Sequence, residues 1–141
     1  MMAERSGVVT LAARKATILL VENDERAFDA TAKALRDAGL GVVHATTAID
    51  AFSVLESPRP VELLLTALSV PGQPSGFTIA RMAQRKRPGL AVAYLAGAAD
   101  APEAELARAL GPVLRRPDPP ELVREILAAL GETKRPGGDS G

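Results

Sequence analysis

Glu22-Asn23-Asp24-Glu25 sets three carboxylates within four residues, directly behind the apolar run Thr17-Ile18-Leu19-Leu20-Val21. Carboxylate oxygens that close together are what a hard dication such as Mg²⁺ takes as ligands. The same residues suit a plainer role, in which Asn23 or Asp24 caps a helix and the acids face the positive end of its dipole. A second stretch, Leu63-Leu64-Leu65-Thr66-Ala67-Leu68-Ser69-Val70-Pro71-Gly72, starts as an apolar run and leaves through a Pro-Gly turn. In an open α/β sheet, the loops beyond the carboxyl ends of strands are where ligands collect. Arg116, followed by Pro117, would bring a cation to the same end. Glu22, Asp24 and Arg116 could therefore line a small-ligand crevice, or form no more than an ion pair.

Other chemistry is excluded by what the chain lacks. With no cysteine it has no disulfide, thiolate metal site or thiol nucleophile. Its single histidine, His44, argues against a histidine-based zinc site or a Ser-His triad, and lies in a strand-like run where packing is its expected role. No Gly-x-Gly-x-x-Gly or phosphate-binding loop follows the first apolar run. Lys and Arg number 17 and so do Asp and Glu, so no overall basic field draws in nucleic acid. Arg81, Arg85, Lys86 and Arg87 form a basic helix end that reads first as a solvated face and second as a docking patch for an acidic partner or nucleic acid. No apolar run approaches the roughly 18 residues that span a bilayer, and the patch Val8-Val9-Thr10-Leu11 is shorter than a signal-peptide core, so a cytoplasmic protein is expected.

The elements that must position these residues are legible from periodicity. Strands are expected at Thr17–Val21, Leu40–Ala45, Val61–Thr66, Leu90–Leu95 and Pro112–Arg115. Helices are expected from about Glu25 to the stop at Gly39, over Ala48–Glu56, from Phe77 to Arg87, over Pro102–Leu110, and over Glu121–Leu130. Residues 1–15 read as a flexible leader, 16–130 as one domain, and 131–141 as a disordered tail. Strands alternating with helices imply an α/β doubly wound fold, a five-stranded parallel sheet with five helices on both faces.

The run Leu63 to Gly72, with Leu20-Val21-Glu22-Asn23-Asp24-Glu25 and Arg116-Pro117, resembles the receiver domain of two-component response regulators (CheY-like, flavodoxin-like). The resemblance covers Thr17 to Leu130 and implies the strand order 2-1-3-4-5. It also implies a phosphoacceptor Asp at the position held by Ala67, and a switch hydroxyl at the position held by Ala96. A lysine is implied at Arg116, a switch aromatic at Val113, and a cis peptide before Pro117. Glu22, Asn23 and Asp24 match the acidic signature that holds Mg²⁺, with the second charge lost, so the implied metal site is weak or gone. Ser75 stands where an Asp or Asn often precedes the glycine of the third loop.

With acceptor, hydroxyl and aromatic absent together, the resemblance implies a degenerate pseudo-receiver. It would be a stand-alone, non-enzymatic signalling protein without a cofactor that acts by protein–protein contact. Its partners would be a sensor kinase or another regulator, or a second copy through helix 4, strand 5 and helix 5. One alternative is a phosphorelay receiver with displaced acceptor chemistry at Asp24, Glu22 or Thr66; Thr66 is disfavoured because strand alternation turns it away from residue 67. The other is a small ligand-binding protein using the same crevice.

Overall fold

The computed structural model describes residues 16–70, 72–97, 101–115 and 117–134, with the side chains of 101–103 and 132–134 left aside. The expected leader, the end of the expected tail, Pro71 and Arg116 lie outside the described residues. The elements run β1 (Thr17–Val21), α1 (Glu25–Asp37), β2 (Gly41–Ala45), α2 (Ala48–Glu56), β3 (Leu63–Ala67), α3 (Gly76–Lys86), β4 (Ala91–Ala96), α4 (Ala101–Ala107), β5 (Val113–Arg115) and α5 (Pro119–Lys134).

The five strands form one sheet in the order β2-β1-β3-β4-β5, and every pairing is parallel. Burial explains the order. β3 is buried at all of its positions and takes the centre, whereas β2, half-exposed with His44 in solvent, takes an edge. A continuous aliphatic run suits a strand covered on both faces. Leu19, Val21, Leu64, Val92 and Tyr94 pack under α2, α3 and α4, while Ile18, Leu20, Leu63, Leu65 and Ala93 pack under α1 and α5. This is the CheY-like, flavodoxin-like architecture that the resemblance implied.

Local signals set most helix ends. The Asp24 carboxylate accepts from Ala27 N at 2.9 Å and starts α1; the capping role falls to Asp24 and not to Asn23. At the other end Gly39, at φ +90°, lets the chain turn back, and Leu40 N donates to Leu35 O at 3.0 Å. Thr47 and Ser75 cap α2 and α3 in the same way. Helix α5 differs from expectation: it starts at Pro119 and runs through Gly131 to Lys134. Glycine weakens a helix interior by about 1 kcal/mol but does not end it unless the backbone turns left-handed, and Gly131 is not among the positive-φ glycines. The described part of α4 is also shorter than the expected span, passing into a turn after Ala107.

Helix α2 is held at both ends by one neighbouring segment. The Gln73 side chain accepts from Ala48 N at 2.9 Å, at the helix start. At its far end, Arg87 donates to Leu55 O at 3.0 Å and to Ser57 O at 2.8 Å, and Lys86 pairs with Glu56 at 2.5 Å. Of the four basic residues expected on a solvated face, these two therefore tie α2 to α3. Arg81 lies over the Phe77 ring.

Candidate functional site

Register brings the carboxyl ends of three strands to one level, with Val21 opposite Thr66 and Ala67 opposite Leu95. β1 and β3 are neighbours although a strand and two helices separate them in sequence, so a crevice opens where the chain switches sides. An open cavity of about 370 Å³ occupies it, with Ala67 and Ala96 at the strand ends and Glu22, Ser69 and Gly97 on the loops. Ala27, Ala30 and Thr31 of α1 form one wall, and Pro117 and Leu122 another.

Each polar group around the crevice has a geometric reason for its place. Glu22 accepts from Asp24 N at 3.0 Å through one carboxylate oxygen. Its backbone carbonyl accepts from His44 Nε2 at 2.7 Å, which puts the ring proton on that nitrogen. The imidazole stacks on Phe28 with centroids 3.6 Å apart. His44 thus packs at a sheet edge, as its sequence context implied, and also tethers Glu22. That second role joins residues far apart in sequence and left no local signal.

Ala67 is 8% exposed and Ala96 6%, so only small parts of their methyl groups face the crevice. Thr66 is fully buried, and its hydroxyl donates to the carbonyl of Ala67 at 2.9 Å. Val113 is half-buried beside Tyr94, its register partner on β4. Arg116 lies outside the described residues, and with it the peptide bond before Pro117; among the described residues no peptide bond is cis. Glu22, Ala67, Ala96 and Pro117 meet in the crevice. Asp24 stays at the mouth of α1 as its cap.

The loop after β3 passes close beneath the crevice. Gly76 sits so near the strand end that a Cβ there would lie 2.3 Å from the carbonyl oxygen of Ala67. On the same face of the sheet, Tyr94 is fully buried and its hydroxyl has no hydrogen-bond partner among the described residues. Burial pushes the Tyr94 hydroxyl well above its ordinary pKa. Among the described residues, no group of three or more His, Asp or Glu side chains is arranged to hold a metal ion. No described helix is long and apolar enough to cross a membrane.

No family model matches the sequence, and no curated protein is recognisably similar to it. Solved structures are similar in fold. A response regulator receiver domain protein from Clostridium thermocellum has a TM-score of 0.77 at 24% identity, over 84% of this chain and 97% of its own. A response regulator receiver protein from Sinorhizobium medicae gives 0.78 at 22% identity, over 86% and 98%. A CheY-like receiver domain protein from Methanospirillum hungatei gives 0.74 at 23% identity, over 86% and 98%. The structural neighbours are thus receiver domains of response regulators, and the chain shares their fold.

Proposed function

We propose that this chain is a receiver-like signalling module that takes no phosphoryl group at the usual position and works by contact with other proteins. The observation that carries the reading is the pair of alanines closing β3 and β4 inside the switch-point crevice, Ala67 and Ala96. A methyl group offers neither a nucleophilic oxygen for a phosphoryl group nor a hydroxyl to hold one. Val113 in place of a switch aromatic points the same way, since no ring there can move with the crevice. Asp24, an alternative acceptor, is engaged in capping α1, and the hydroxyl of Thr66 is buried.

The partners would be a sensor kinase or another regulator, met in the cytoplasm. A second copy would meet the surface formed by α4, β5 and α5, where Leu106 is 60% and Leu127 48% exposed. No catalytic turnover is part of this reading. Its test is the intact mass of the protein after incubation with Mg²⁺ and acetyl phosphate, beside the Ala67→Asp variant. The natural protein is expected to gain no phosphoryl mass. A stoichiometric adduct on it, at Asp24, Glu22 or elsewhere, would overturn the proposal.

A further inference from the structure

Helices α2 and α3 run side by side, since each returns from a strand of one parallel sheet, and they meet in the Glu56–Lys86 pair. Helical spacing then sets what faces their seam. On α2, Ile49, Phe52 and Glu56 stand at i, i+3 and i+7; on α3, Thr78, Met82 and Lys86 stand at i, i+4 and i+8. The turns match. Glu56 meets Lys86, whose ammonium also lies 5.7 Å from the Phe52 ring centroid, and one turn earlier Met82 comes level with Phe52. Ile49 is 74% exposed and Met82 41%, with Phe52 half-buried between them, so an apolar strip runs along the outer seam.

One edge of the strip is charged. Arg85 follows Met82 by three residues and Arg81 by four, so both guanidinium groups border the strip on the side away from α2. Among the described residues neither has an acidic partner. Glu56 is taken by Lys86 and Glu105 by Arg108, Arg81 rests only on the Phe77 ring, and Arg85 makes no ion pair or hydrogen bond. Glu56 and Lys86 cancel within the seam, which leaves two uncompensated positive charges one helical turn apart along its edge. The surface is also held in advance: Gln73, Lys86 and Arg87 fix α2 against α3 and the loop before it, so docking there has little left to order.

We infer that the α2–α3 seam docks an acidic amphipathic helix of a partner protein. The apolar stripe of that helix lies on Ile49, Phe52 and Met82, and two of its carboxylates, a turn apart, accept from Arg81 and Arg85. A nucleic-acid backbone would satisfy the two arginines but give Ile49 and Met82 nothing to bury. The inference rests on the proposed function only in taking the chain to work by protein contact, and it leaves α4, β5 and α5 to a second copy.

The test titrates the full chain, ¹⁵N-labelled, with a stapled helical peptide of about sixteen residues that carries leucines at i, i+3 and i+7 and, along one edge, glutamates four residues apart. Two control peptides replace the glutamates by lysines or the leucines by glutamines. The acidic peptide is expected to saturate below about 1 mM, with amide shifts confined to Ile49, Phe52, Met82, Arg85 and their neighbours on α2 and α3. Arg85→Glu and Ile49→Asp should each weaken it about tenfold or more while the melting temperature holds, since both side chains are exposed. Arg85→Lys, which keeps the charge, should lose less. No saturation, a control peptide that binds as tightly, or shifts elsewhere would overturn the inference. So would a single-stranded oligonucleotide that shifts the same amides at lower concentration, or self-association in sedimentation equilibrium that Ile49→Asp abolishes, since the seam would then belong to nucleic acid or to a second copy. A phosphoryl adduct in the separate mass assay would sink the proposed function as stated, whatever the peptide does.

Discussion

Replacing Tyr94 with Phe removes one oxygen from the middle of the molecule. That oxygen is fully buried and without a partner among the described residues, so no described group repays its lost hydration. An unsatisfied buried hydroxyl costs about 1–3 kcal/mol. The void left by one oxygen, on the order of 10–15 Å³, returns only about 0.3 kcal/mol at the usual cavity coefficient. Tyr94→Phe should therefore stabilise the protein by about 1–2 kcal/mol and raise its melting temperature by roughly 3–8 °C for a domain of this size. Alkaline pH sharpens the test. Burial raises the Tyr94 pKa in the folded state, so the unfolded chain loses this proton first. The contribution is complete below about pH 10, the unfolded value, and is lost above it by up to about 1.4 kcal/mol per pH unit. Urea titrations of both proteins at pH 7, 9 and 10.5 measure this directly. The variant should gain at every pH, most at the highest. A variant less stable at pH 7 by more than about 1 kcal/mol, the scale of one net hydrogen bond, would show the hydroxyl to be bonded and refute the reasoning.

Two further substitutions probe the supports of the crevice and of α2. Gly76→Ala drives a Cβ to 2.3 Å from the Ala67 carbonyl, backbone that cannot swing aside; the loss should be about 1–3 kcal/mol or more in denaturant titration, and a loss under 0.5 kcal/mol, about the limit of an ordinary surface change, would mean the loop simply relaxes. Arg87→Ala frees the carbonyls of Leu55 and Ser57 and should cost about 1–3 kcal/mol with faster amide exchange along α2. Arg87→Lys should recover less than half of that, because an ammonium cannot fork as a guanidinium does.

Local signals carried much of this structure. The aliphatic run of β3, Asp24 ahead of α1 and Gly39 behind it are short-range patterns, and each predicted the element found. Strand ends shifted by one or two residues because pairing with neighbours decides them; Glu62, expected inside the third strand, instead joins Thr17 through its backbone N–H, 2.9 Å from the Thr17 carbonyl oxygen. Gly131 looked like a stop because glycine often is one, yet its conformation stays helical. In the crevice, Glu22, Ala67, Ala96 and Pro117 were identifiable as neighbours through the resemblance. The alanine wall of α1, the His44 tether and the orphan hydroxyl of Tyr94 were not. They depend on which helix face meets which strand end, and nothing within a few residues of any of them reports it.

The double hold on α2 divides the molecule mechanically. Gln73 and Arg87 bracket the whole of α3 in sequence, so β3, its loop and α3 grip α2 like the two jaws of one clasp. Bending α2 away from the sheet would break contacts at both ends at once, and that half of the protein should behave as a single stiff plate. On the opposite flank, the described β5 pairs with one neighbour through three residues, and the cavity wall beside it is completed by Pro117 and Leu122. An event in the crevice would push against the plate and be felt on the lighter side. The molecule would then deform as an anvil and a reed, with the reed taking up the displacement.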